Sequence, residues 1–377
     1  MHAWTTELLD EMRRTGDPEA DATLANAAEL RDIRRISESF RSFAADDAEI
    51  PPDAPREFPD FVAATRALPH GIDRAQVARG GEVMLENASV IALVLLLKSL
   101  PCGYGAPRLS TVLHMSHNLE KRPYRRALGV LQMLVNISQP GAFRDGGGAV
   151  VTGQKLRLLH AGVRRVVRAR IAGFEQEFGT PVSQLDMVYT SMTFSVLVVD
   201  GLADLGVCLS EQDAGDYFYL WQMYGEMQGI RREWMPRSLE DGRAFCAAYA
   251  REFRNAADNP HGIALTRADL DMMKSLIPWP LRMLGFGTAP TVYLLRLVGE
   301  EAAARVGVVM RARHTIADWL VIQLPAVWQR LWKTLAPEAK VHTAISRMFF
   351  RSLIVHAWGE EVRFGVPERL RDLRKLA

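Results

Sequence analysis

The chain has 377 residues, 48% of them hydrophobic and 24% charged, the balance of a soluble globular protein with room for one large or two ordinary domains. Forty-six basic residues against 44 acidic ones leave a net charge of +2, which excludes a global electrostatic drive toward nucleic acid. Three cysteines, Cys102, Cys208 and Cys246, form no CxxC pattern and are expected as reduced thiols of a cytoplasmic protein.

The N-terminal "MHAWTTELLDEMRRTGDPEA" carries acids and no apolar core, so no signal peptide is expected. "TLANAAELRDIRRISESFRSFAAD" (23–46) has helical apolar spacing. The acidic, proline-rich "DDAEIPPDAPREFPD" (46–60) reads as a connecting arm that cannot pack. A helix is predicted from Asp73. "ASVIALVLLL" (88–97) is too short for a bilayer, which needs roughly 20 apolar residues, and reads as a buried helix. "SLPCGYGAP" (99–107) is predicted as a loop, and so is the glycine-rich "GAFRDGGGAVVTG" (141–153). Thr180 followed by Pro181 predicts a helix start, and Ser210 with an acidic first turn predicts another. Hairpin-linked alternating strands and repeats are absent, so the fold class is all-α. The division expected is a helical arm and connector (1–60), a main domain (61–310) and a helical C-terminal extension (311–377). That extension, with "ADWLVIQLPAVWQRLWKTL", suits core packing, or a surface touching lipid or an apolar substrate.

"KLRLLHAGVRR" (155–165) carries the chemistry-bearing pattern. Arg157, His160 and Arg164 stand at i, i+3 and i+7, on one helical face, and the run contains no carboxylate. Either this face meets water, or an anionic group balances it from outside. A neutral imidazole flanked by leucines suits heme iron, with the cations meeting the propionates. Arg165, Arg168 and Arg170 read as a solvent-facing stripe. A nucleic-acid surface is disfavoured, because aromatics are not interleaved.

The order of "GIDRAQVARGG" (71–81), "KSLPCGYGAPRLSTVL" (98–113), "YRRALGVLQMLVNI" (124–137), "LRLLHAGVRR" (156–165), "TSMTFSVLVVDGLADLGV" (190–207) and "YLWQMYGEMQGI" (219–230) resembles the latex-clearing proteins, or rubber oxygenases, and a fungal membrane-bound oxygenase of the mycophenolic acid pathway. The resemblance implies a globin-related multi-helix bundle enclosing heme b. It makes His160 the iron ligand, supported with the propionates by Arg157 and Arg164. Thr193 and Phe194 would line the pocket, and Arg126 would reach the distal side.

This sequence departs from the rubber-cleaving members. Gly129 and Val130 stand where those members carry a lysine–threonine pair, and no acid occurs between Glu86 and Glu120, where their distal glutamate belongs. His114 and His117, at i and i+3, are the candidate distal acid–base groups or sixth ligand. The expected function is a heme b-dependent oxygenase using dioxygen on an apolar, unsaturated, isoprenoid-like small molecule. The alternatives are a non-oxygenating heme sensor or carrier closed by a distal histidine, and a cofactor-free scaffold binding lipid or a partner. No nucleic-acid partner and no transmembrane segment are expected, while peripheral membrane contact is compatible with the tail.

Overall fold

A computed structural model describes residues 3–26, 57–115, 123–253 and 259–309 and positions 323, 327, 330, 331 and 334, with backbone alone for 123–128. Among the described residues all regular structure is helical, in agreement with the predicted class. The C-terminal extension falls almost wholly outside them.

The N-terminal segment is docked rather than extended. Helix α1 (Thr6–Arg14) starts at Thr5, whose side chain accepts from the Leu8 N–H, and it buries Leu9 and Met12. Together with Trp4 these enter a core shared with Leu185, Val188 and Phe245. Helix α2 (Pro18–Asn26) follows at once. The end of the proline-rich stretch also packs, contrary to expectation: Glu57–Ala64 forms α3, burying Phe58, Phe61 and Val62. Two aromatic rings a turn apart outweigh the local proline signal.

Asp73 caps α4 (Arg74–Glu86) by accepting from the Ala75 and Gln76 N–H groups, as predicted. Helix α4 lies along α13 (Glu211–Met227), which starts at the predicted cap Ser210. Gly80 permits the approach: a Cβ there would stand 2.4 Å from the Asp216 carbonyl oxygen. Arg79 locks the same contact, its Nε donating to Asp216 at 2.7 Å.

After α4 the chain bends by 81° into α5 (Ala88–Val94), a π-helical turn (Leu95–Ser99) and α6 (Leu100–Tyr104). The apolar run is buried here as expected, but the loop foreseen at 99–107 is mostly helix. Pro101 follows the π-helical turn within one continuous helical run, Ala88–Tyr104, so its missing N–H removes a ladder bond there. Gly105 and Ala106 alone separate α6 from α7 (Pro107–Met115).

Helix α8 (Pro123–Ser138) precedes α9 (Gly148–Arg170), so the glycine-rich stretch is loop only as far as Gly147. Gly153 serves close packing instead: a Cβ there would meet the Met227 carbonyl oxygen of α13 at 2.9 Å. Beyond α10 (Phe174–Phe178), α11 (Gln184–Phe194) is capped by Ser183 and Asp186 in a capping box, and not by Thr180. Thr180 is engaged elsewhere, donating its hydroxyl to Arg14 O and its N–H to Arg13 O of α1. Val182, at φ +49°, also blocks an earlier start.

Helix α12 (Val196–Asp204) continues α11 past a break at Ser195. The span Gln184–Asp204 is apolar and long enough to cross a membrane, yet 72% of its most apolar window is buried within the fold. Helices α14 (Leu239–Glu252), α15 (Pro260–Leu276), α16 (Trp279–Met283), α17 (Ala289–Val298) and α18 (Glu300–Arg305) complete the body.

Because Gly80 admits no side chain, Gly80→Ala should lower the unfolding free energy by about 2 kcal/mol in urea titration. Gly103→Ala, at a position with open space around it, should leave stability unchanged or slightly raised.

Candidate functional site

Helix α9 presents Gly153, Arg157, His160 and Arg164 at i, i+4, i+7 and i+11, one continuous face. The glycine brings this face against the end of α13, and α2 covers the rest. Arg157 is buried and bidentate on Asp17, its Nε and Nη2 donating at 2.7 and 2.8 Å, while Nη2 also donates to Glu19 at 2.6 Å. Arg164, wholly buried, donates to Asp21 at 2.7 Å and to the Val182 carbonyl at 3.1 Å. The expectation that an external anion balances these cations is therefore corrected, because the chain supplies its own carboxylates from about 140 residues away. A lone buried guanidinium would cost several kcal/mol, and these acids remove that cost. Arg165, Arg168 and Arg170 are exposed, as predicted.

Gln184 ties the same corner. Its amide nitrogen donates to the Gly16 and Gly229 carbonyls, and its amide oxygen accepts from the Arg231 N–H. Three chain segments thus meet behind α9 through one side chain.

His160 stands between the two paired arginines and is built differently. Its Nδ1 is buried and has no hydrogen-bond partner. Burial first, and then the Arg164 charge, push its pKa down to about 4, with Asp17 opposing. The imidazole is therefore neutral across the physiological range, the state able to bind a metal through a lone pair.

Phe194 stacks on Trp221 of α13 at 5.0 Å, and its carbonyl accepts from the Tyr217 hydroxyl at 2.8 Å. Thr193 is buried, its hydroxyl donating to Thr190 O and its carbonyl accepting from Ser99 of the π-helical turn at 2.5 Å. Both therefore sit at the α11–α12 break against α13, the helix that α9 also contacts. His114, at the end of α7, stacks on His261 of α15 with ring centroids 4.1 Å apart. Arg126 lies on α8, with only its backbone described, and His117 lies outside the described residues.

Asp17, Glu19, Asp21 and Gln184 were not foreseen. "GDPEAD" announces a helix start with Pro18 at its first position, but nothing local says which cations its acids will meet. His261 was likewise missed, standing among ordinary cap residues.

Among the described residues the body is all-helical, and its α9 face carries a half-buried imidazole whose Nδ1 has no protein partner. Comparison with known proteins gives it a family. Residues 76–373 match the family described as ER-bound oxygenase mpaB/B'/Rubber oxygenase, catalytic domain, and the chain belongs to it. A rubber oxygenase of Streptomyces sp. (strain K30) is 24% identical over 262 residues, covering 69% of this chain and 64% of that relative, so the chain spans just under two thirds of its length. The solved structure of the latex-clearing protein in its closed state superposes with a TM-score of 0.70 at 21% identity, over 90% of each chain. That likeness concerns the fold. The family match starts within α4, so the acids that pair with Arg157 and Arg164 precede it.

Asp17→Asn should remove a buried counter-charge and destabilise the protein by about 3 kcal/mol in chemical denaturation. The heme-free protein should also lose stability as pH falls from 6.5 toward 4. There the unfolded chain protonates His160 and the folded one does not. The loss should approach about 3 kcal/mol and be absent in His160→Gln, measured by urea titrations across that range.

Proposed function

We propose that this protein is a heme b-dependent oxygenase that uses dioxygen on an apolar, unsaturated, isoprenoid-like small molecule. The observation that carries the reading is His160: a neutral imidazole, Nδ1 buried and without a partner, within a family of oxygenases. A resident iron fits this donor, because a depressed pKa removes competition from the proton and the Nδ1 itself is buried.

On this reading His160 would hold the heme iron, and Leu156 and Leu159, both half-buried, would border it with apolar surface. When bound, heme supplies the redox chemistry with dioxygen, while the chain supplies position and electrostatics. Arg157 and Arg164 act mainly by fixing α9, since their charges are engaged with Asp17, Glu19 and Asp21. The Nη2 of Arg164 is buried and has no hydrogen-bond partner. Phe194 and Thr193 form a wall, held by Trp221 and Ser99. Arg126 would supply a fixed positive charge on the distal side, and His114 or His117 would be the acid–base group in place of the family's distal acid. The contact with His261 gives His114 a fixed ring plane for that task.

A carrier closed by a distal histidine is the second reading, favoured by the absence of any acid between Glu86 and Glu120. The spectrum of protein expressed with added heme separates the two. An oxygenase should show a Soret band with a high-spin ferric site, and His160→Ala should lose the band while retaining its helical circular dichroism. A low-spin ferric spectrum abolished by changing His114 or His117 would assign the carrier. A colourless wild-type protein, or a band unaltered in His160→Ala, would overturn the heme reading.

A further inference from the structure

Between α15 and α17 the surface has a different character. Leu276, Trp279, Leu281, Met283 and Leu284 are exposed at 60, 70, 43, 78 and 68%, five large apolar side chains within nine residues. Helix α16 and the following 3-10 turn (Phe286–Thr288) bury no residue at all. Soluble surfaces mostly scatter apolar residues singly, so five exposed ones this close in sequence point to a contact.

The charges around it have one sign. From Met272 to Gly299 the sequence has Lys274, Arg282 and Arg296 and no aspartate or glutamate. Lys274 and Arg282 are exposed and, among the described residues, in no ion pair. They converge on one turn: the Lys274 Cε and Arg282 Cγ lie 3.8 and 3.9 Å from the Cβ position of Gly287. Two adjacent unneutralised cations beside a tryptophan and aliphatic tips match the boundary of an anionic bilayer, with phosphates outside and acyl chains beneath. Pro278 and Pro280 bracket Trp279 and stiffen the projection, which reduces the entropy lost on insertion.

We propose that the 274–287 turn docks this protein on an anionic lipid surface. Trp279, Met283 and Leu284 enter the acyl boundary, and Lys274 and Arg282 meet lipid phosphates. The contact is independent of the heme reading, because none of these residues belongs to the α9 face. A membrane-docked body would meet apolar substrates where they dissolve.

Co-sedimentation of the full-length, heme-loaded protein with phosphatidylcholine–phosphatidylglycerol vesicles tests this. The wild type should pellet with the mixed vesicles and much less with pure phosphatidylcholine. Trp279→Ser/Met283→Ser/Leu284→Ser should reduce partitioning at least about tenfold. Lys274→Ser/Arg282→Ser should abolish the preference for phosphatidylglycerol and its salt sensitivity. All five side chains are exposed, so circular dichroism and the Soret band should be unchanged. Equal pelleting of wild type and triple variant, no pelleting of either, or equal binding to neutral vesicles would overturn the proposal. So would a lipid-free dimer in analytical ultracentrifugation that the triple variant dissociates, which would assign the face to a second copy.

Discussion

The ion pairs that join α2 to α9 are the constraint on which this structure turns. Arg157 and Arg164 are both buried, so each needs a counter-charge inside the fold, and Asp17, Glu19 and Asp21 supply it. Such pairs add little net stability compared with an apolar replacement, but breaking one is costly, which makes them strong determinants of register. They fix the rotation of α9 about its axis. With the arginines engaged by the acids before and within α2, the histidine between them keeps a buried Nδ1 with no protein partner. The clamp spends the cations internally and leaves the imidazole without a partner from the chain.

Helix α13 is the second organising element. It accepts α4 through Gly80 and α9 through Gly153, each glycine letting backbone approach backbone. Its aromatic residues then reach the α11–α12 break, where Trp221 stacks on Phe194 and Tyr217 donates to the Phe194 carbonyl. The candidate ligand and the candidate pocket wall are therefore held to one scaffold helix from two sides. Rigidity of this kind is what a cofactor site requires of its protein.

Much of this was legible in the sequence where the signal was local. Asp73 and Ser210 announced their helices, and the apolar run from Ala88 was correctly read as buried. Thr180 misled because the same hydroxyl that could cap a helix serves instead to dock α1. The glycines at 148 and 153 read as a flexible loop, since helix-to-helix proximity across 74 residues, as between Gly153 and Met227, leaves no local mark. The basic face of α9 was visible, but its neutralisation was not. Spacing along one helix places Arg157 and Arg164 together, whereas a partner at Asp17 is a tertiary fact. The exposed turn at 274–287 was hidden for the converse reason, since apolar residues near Pro and Gly look the same whether covered or bare.

If heme retention depends on the His160 imidazole, as proposed, cavity complementation addresses it most directly. His160→Gly removes the imidazole while leaving the α2–α9 clamp in place, and free imidazole can then be supplied in solution. The account predicts weak hemin binding by the glycine variant and saturable recovery of the wild-type Soret spectrum as imidazole is added. Hemin bound as tightly and with the same spectrum in the absence of imidazole would contradict it.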